Sequence, residues 1–207
     1  FGISRPGLVG IIDIDEDREV VFGDEYTVED YVWRGPQPTI QEQAAQVGIE
    51  QVHPIHQLTA LLGHAKSSQR PIHFLPLYRA ANKIMLQEWT GITPREIASR
   101  YSLDLVKAVI SQREYKSEEE IADLNRAVDV SVDMHIAAMK CAKPGMTEAQ
   151  VTAEVHRVAL AAGGDISFAI IATIDGQTLH KHSHANTIQA GDLFLVDAGF
   201  ETPMAYA

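Results

Sequence analysis

The sequence predicts an α/β domain followed by the opening of an α+β domain. Three observations carry this. Short apolar runs alternate with helix-like segments over roughly the first 110 residues. Two capped amphipathic segments then follow one another between Ser117 and Gly164. After them, "SFAIIATI" and "DLFLVDAG" read as strands on either side of a histidine-bearing loop.

Taken in order, "LVGIIDID" (8–15) and "REVVFG" (18–23) are apolar runs, and the acidic "DED" between them reads as a hairpin turn. In "TIQEQAAQVG" (39–48), Thr39 and Glu42 form a capping-box pattern, which predicts a helix ending near Gly48. Leu58, Leu61 and Leu62 suggest another helix, stopping near Gly63. "RPIHFLPL" (70–77) reads as a short buried strand entered through Pro71. "YRAANKIMLQEWTG" (78–91) has helical spacing and a terminal glycine. "TPREIASRYS" offers Thr93 as N-cap, Pro94 at N1 and Glu96 at N3.

The polar stretch "VISQREYKSEEE" places a domain boundary within 105–116, giving domains of 1–111 and 112–207. Ser117 and Glu120 then open a long helix. Ile121, Leu124, Val128, Val132, Ile136 and Met139 recur along it at steps of three and four, and predict its buried stripe. Pro144 and Gly145 stop it. Thr147 with Gln150 starts the next helix, with Val151, Val155, Val158 and Ala162 as its inner face and Gly163 and Gly164 at its end.

Bulk properties exclude several roles. Apolar residues make up 45% of the 207 and charged residues 22%, ordinary for a globular protein with a real core. The formal net charge of −11 argues against nucleic-acid backbone binding, which needs a basic face. No apolar run approaches the roughly 18 residues of a membrane helix. Cys141 is the one cysteine, which excludes an intrachain disulfide and fits a reducing, cytoplasmic setting. The chain starts at Phe1, without an initiator Met or signal peptide, and stops at "PMAYA" just after a strand. Those ends suggest a piece of a longer protein.

Two sets of residues stand out chemically. Asp197 lies inside "LFLVDAGFE", where a carboxylate is costly unless it is paired, hydrogen-bonded or metal-bound. It reads either as a ligand for a divalent ion or as a strand-end aspartate satisfied by a loop amide or an arginine. Gly199, two residues on, suggests a bend or a close approach of another chain segment. His180, His182 and His184 alternate; on a strand they would share one face and suit zinc. In a polar loop, one of them would act as a hydrogen-bond donor. The other candidates read as structural: His53 and His56 beside Pro54, His135 and His156 on helices, Cys141 as a small buried residue, and Trp33 and Trp89 as packing aromatics. Neither "RPGLVG" nor "AAGGD" has phosphate-loop spacing.

"SEEEIADLNRAVDVSVDMHIAAMKCAKPGMTEAQVTAEVHRVALAAGGD", with its "PGMTE" turn between two helices, resembles the opening of the catalytic domain in the Xaa-Pro aminopeptidase and prolidase family. The later "TLH…N…I.AGDLFLVDAGFE" is similar to the family segment in which a substrate-pocket histidine precedes a strand bearing the first metal-binding aspartate. The likeness covers essentially the whole chain and is most specific over 113–201.

The resemblance implies a creatinase/prolidase-type α/β N-terminal domain, a mixed sheet with flanking helices, lacking its own start. A partial "pita-bread" α+β catalytic domain would follow. It implies His180 as the pocket histidine, in contact with substrate or the developing oxyanion, and Asp197 as the first metal ligand. Gly191 and Asp192 would form the turn before the strand. In the family, two divalent ions, often manganese, with cobalt or zinc also used, are held by two Asp, one His and two Glu. A metal-activated water hydrolyses the bond between an N-terminal residue and proline. The second aspartate, the histidine and both glutamates fall beyond Ala207, so this chain alone is expected to be inactive and to hold no metal stably. The whole protein is expected to act on proline-containing peptides as a homodimer, without nucleic acid or membrane. The competing readings are a non-catalytic pita-bread protein-binding module and a related hydrolase such as a creatinase.

Overall fold

The computed structural model describes residues 2–3, 5–178 and 180–207. It divides into two compact units, Phe1–Arg113 and Glu114–Ala207.

The first unit is built on a mixed three-stranded sheet. β1 (Val9–Asp13) and β2 (Arg18–Phe22) form the predicted antiparallel hairpin, with Asp13 opposite Arg18. β3 (Gln51–His53), which apolar patterning does not reveal, joins β2 in parallel. Among the described residues the helices α1 (Val28–Arg34), α2 (Ile40–Gln46), α3 (Leu58–Ser67), α4 (Ala80–Thr90) and α5 (Pro94–Arg100) accompany them. α6 (Leu103–Arg113) completes the unit.

Alternation along β2 divides the core in two. Val20 and Phe22 pack on Leu58 and Leu62, while Val21 packs on Ile40, Ala44 and Ile49. Asp13 is buried at the hairpin, where ion pairs to Arg70 and Arg18 compensate the carboxylate. The bond to Arg70, chiefly, holds its pKa below the usual range.

Several local expectations need correction. Residues 70–77 form no strand. Pro71 and Pro76 lack the N–H groups a ladder needs, and the segment runs as irregular chain whose Phe74 carbonyl accepts from Ser102 N. α3 continues past Gly63 to Ser67, because a single helical glycine is tolerated. α6 runs through the first part of the 105–116 stretch as far as Arg113, where the first unit ends. α1 is capped by a Thr27–Asp30 box.

The second unit opens with α7 (Glu118–Cys141), capped by Ser117 and Glu120, and α8 (Glu148–Ala161), capped by Thr147 and Gln150. Two short antiparallel pairs lie beneath them: β4 (Asp165–Ile166) with β7 (Phe200–Glu201), and β5 (Ile171–Thr173) with β6 (Leu195–Asp197). α8 buries Val151 and Val155 as expected, together with Ala159, which the expected inner face did not include; Val158 and Ala162 are half-buried against the same cluster.

α7 does not bury the stripe expected of it. Ile121, Val128, Val132 and Met139 are exposed, Met139 by 73%. The buried face is Ala127, Met134 and Ala138. Ala127 and Ala138 let α8 and the strands come close on either side of Met134, which fills the space between them. Ser131 belongs to this face. Its hydroxyl donates to the Ala127 carbonyl and accepts from Phe200 N at 3.0 Å.

Two glycines are demanded by close approach. A Cβ on Gly164 would lie 2.5 Å from atoms of the Phe200 ring and would also overlap the Glu201 carbonyl oxygen. One on Gly199 would lie 2.5 Å from Ser167 Oγ, the second chain segment anticipated there.

Candidate functional site

β6 positions Asp197. Phe194, Val196 and Ala198 point into the cluster under α7 and α8, so Leu195 and Asp197 stand on the opposite face of the pair. Asp197 lies in register with Ile171 and is exposed rather than enclosed by its apolar neighbours. Among the described residues its carboxylate accepts no hydrogen bond and makes no ion pair, so neither the loop amide nor the arginine of the alternative reading is in place.

The three histidines do not share a strand face. Residues 181–186 are loop, and only one of the three rings is seated against the protein. His184 is half-buried, and its Nε2 donates to the Ile170 carbonyl at 3.0 Å. His182 is exposed. His180 is exposed and takes φ +57°, a left-handed conformation unusual for a residue with a Cβ. Leu179, which precedes it, lies outside the described residues. Among the described residues no group of three His, Cys, Asp or Glu is arranged to hold a metal ion.

A carboxylate with no part in the sequence-level reading organises this loop. Glu148, the first residue of α8, is fully buried. Its Oε1 accepts from Thr173 Oγ1 (2.9 Å), Ile174 N (2.9 Å) and Asn186 Nδ2 (3.1 Å), and its Oε2 from Asn186 N (3.2 Å). Burial pushes its pKa up, but these donors outweigh burial and hold the carboxyl below its ordinary range.

Asn186 Nδ2 also donates to Asp175 Oδ2 at 2.9 Å, and Asp175 pairs with Lys181, the residue after His180. The Lys181 ammonium, then Asn186, lower the Asp175 pKa. The backbone adds a second seam. Glu148 N donates to the Asn186 carbonyl, Ala149 N to that of His184, and Gly145 N to that of Ile188. The available signal for Glu148 was its place just inside the Thr147 cap, which by itself reads as a charge favouring the helix dipole.

The remaining candidates are structural. His135 Nδ1 donates to Ser131 O at 2.8 Å, and His156 pairs with Asp165. His53 lies against Phe22, ring centroids 5.7 Å apart. Burial raises the Cys141 thiol, the wrong direction for a nucleophile.

Two family models match the chain in succession: the aminopeptidase P N-terminal domain over 1–73 and metallopeptidase family M24 over 122–207. Both matches point to the Xaa-Pro aminopeptidase and prolidase family, which the chain resembles over these two stretches. Within this family, the human Xaa-Pro dipeptidase is 23% identical over 97% of the chain and 42% of its own length. The Xaa-Pro aminopeptidase of Escherichia coli K12 is 32% identical over 48% of the chain and 23% of its own length. Zinc-substituted E. coli aminopeptidase P in complex with product superposes with a TM-score of 0.75 at 21% identity, over 97% of the chain and 48% of that structure. The chain thus spans less than half the length of these relatives. Its fold is the family's α/β N-terminal domain followed by part of the pita-bread domain.

Proposed function

We propose that the whole protein hydrolyses the peptide bond between an N-terminal residue and proline, as an Xaa-Pro aminopeptidase or dipeptidase. Residues 1–111 would form its N-terminal domain, and 112–207 the first part of its catalytic domain. The observation that carries this is the order of the two family matches along one chain, an aminopeptidase P N-terminal domain and then an M24 metallopeptidase segment. Relatives named for Xaa-Pro cleavage support it.

In this reading Asp197 is a metal ligand, which its exposed and unpartnered carboxylate suits. His180 is the substrate-pocket histidine, displayed on an exposed turn with free ring nitrogens among the described residues. When bound in the whole protein, divalent ions, manganese foremost, supply a water of lowered pKa for attack on the carbonyl. Asp197 alone does not make such a site, since stable binding takes several donors fixed together. The 207-residue chain by itself is therefore inactive and holds Mn²⁺ weakly. The whole protein acts in the cytoplasm as a homodimer, on peptides.

The test is turnover of Xaa-Pro and Xaa-Ala peptides by the metal-loaded whole protein, beside an Asp197→Ala variant. Cleavage confined to the Xaa-Pro peptide and lost in the variant is expected. Turnover unchanged by Asp197→Ala would remove Asp197 from the site, and absence of peptidase activity in the parent would leave a binding module or another hydrolase.

A further inference from the structure

We propose that Glu148 is a positioning residue: its buried carboxylate ties the segment 173–188 to the start of α8 and thereby sets where His180 is presented. The value of that placement for catalysis rests on the peptidase reading; the tie itself does not.

The four groups around Glu148 are all donors, two from the backbone and two from side chains, with no cation among them. A carboxylate matches this set and a carboxamide does not. A glutamine can keep its oxygen toward Thr173, Ile174 and Asn186 Nδ2, but its NH₂ then faces the Asn186 backbone N–H, donor against donor. The negative charge is offset by these hydrogen bonds and by the N-terminal end of α8.

The tie continues outward. Asn186 is shared between Glu148 and Asp175, and Asp175 clasps Lys181. This closes the loop 175–181 at its base and leaves His180 beside the clasp, in its left-handed conformation. On the other side, the Ala149 N–H and the Ile170 carbonyl hold His184 by its backbone and its ring. A non-glycine residue keeps a positive φ only where its surroundings enforce it, and the clasp is the enforcing contact here.

Hydrogen exchange on the 207-residue chain tests the tie without reference to activity. Glu148→Gln should raise exchange over 174–188 by about tenfold or more, while the amides of α7 and the second half of α8 keep their protection. Unchanged exchange over 174–188 overturns the proposal, and so does an equal loss throughout the second unit, which would make Glu148 a general core residue.

Asp175→Asn is the safer companion, because it cuts the same chain at its half-exposed end. It should loosen 175–182 alone, and full protection there also overturns the proposal. Activity of the whole protein then tests the consequence. Glu148→Gln should lower kcat/KM in the parent and have no further effect in a His180→Ala background, because it acts through that residue. Additive losses would show that it does not. If the parent cleaves no Xaa-Pro peptide, the peptidase reading fails while the exchange result stands.

Discussion

Gly163 and Gly164 end α8 side by side for different physical reasons, and substitution separates them. Gly164 has no left-handed φ, but a Cβ there would sit 2.5 Å from the ring of Phe200, which is fully buried, and would overlap a carbonyl of the β4–β7 ladder. Neither neighbour can withdraw without opening the strand pair. Forcing a methyl into such a closed contact costs about 1–3 kcal/mol. Gly163 has φ +82° and nothing within 4 Å of its virtual Cβ, so alanine there meets open space and about 1–2 kcal/mol of backbone strain. Asparagine tolerates left-handed backbone, so it should recover part of the loss at 163 and worsen it at 164. In hydrogen exchange, Gly164→Ala should speed opening of 165–173 and 196–202 by roughly five- to 150-fold, the equivalent of that energy range. Gly163→Ala should act on the last turn of α8. Protection of 165–202 within about twofold of the parent in Gly164→Ala, or a milder Gly164→Asn than Gly164→Ala, would refute the steric argument.

Met134→Ala, on the buried face of α7, should cost about 2–5 kcal/mol in urea unfolding. Met139→Gln, on the exposed stripe, should stay within about 0.5 kcal/mol; the reverse order would restore the stripe as the core face. Asp197→Ala should leave the stability of this chain within about 0.5 kcal/mol, since the side chain is exposed, and a larger loss would make it a structural aspartate. The folded pKa of Glu148 lies below its ordinary value of 4.5. Its contribution is therefore complete above that value and is lost as pH falls through the lowered one. The urea midpoint of the second unit should drop over that acid window, and less steeply in Glu148→Gln; equal slopes would show that other groups set the acid limit.

Helix starts were the most legible part of the fold. The boxes at Thr39–Glu42, Thr93–Glu96, Ser117–Glu120 and Thr147–Gln150 all close as read, because a cap involves only neighbours in sequence. The box at Thr27–Asp30 obeys the same logic with a shorter acid. Tertiary choices were less legible. Periodicity finds an apolar stripe on α7 but weighs Ala127, Ser131 and Ala138 too lightly, although their small size is what admits a close neighbour. Residues 70–77 are apolar enough for a strand, yet two prolines remove ladder donors.

At the site, the histidine cluster drew notice through its spacing, and the structure seats the His184 ring while leaving His180 and His182 exposed. Asp197 looked enclosed because its sequence neighbours are apolar, but strand alternation turns it to the other face. Glu148 was illegible because its partners come from 173–186, far along the chain.

Ser131 has a consequence for how the second unit meets other molecules. Along the side of β7 turned away from β4, the amides in question are those of Phe200 and of Thr202, the residue just after the strand. The first is taken by the Ser131 hydroxyl and the second by the Tyr206 carbonyl. A strand edge with free amides is a template on which another polypeptide can extend the sheet. Here a helix side chain and a tight turn occupy those positions, so this margin presents no unclaimed donors at Phe200 and Thr202 through which copies of the chain could polymerise edge to edge.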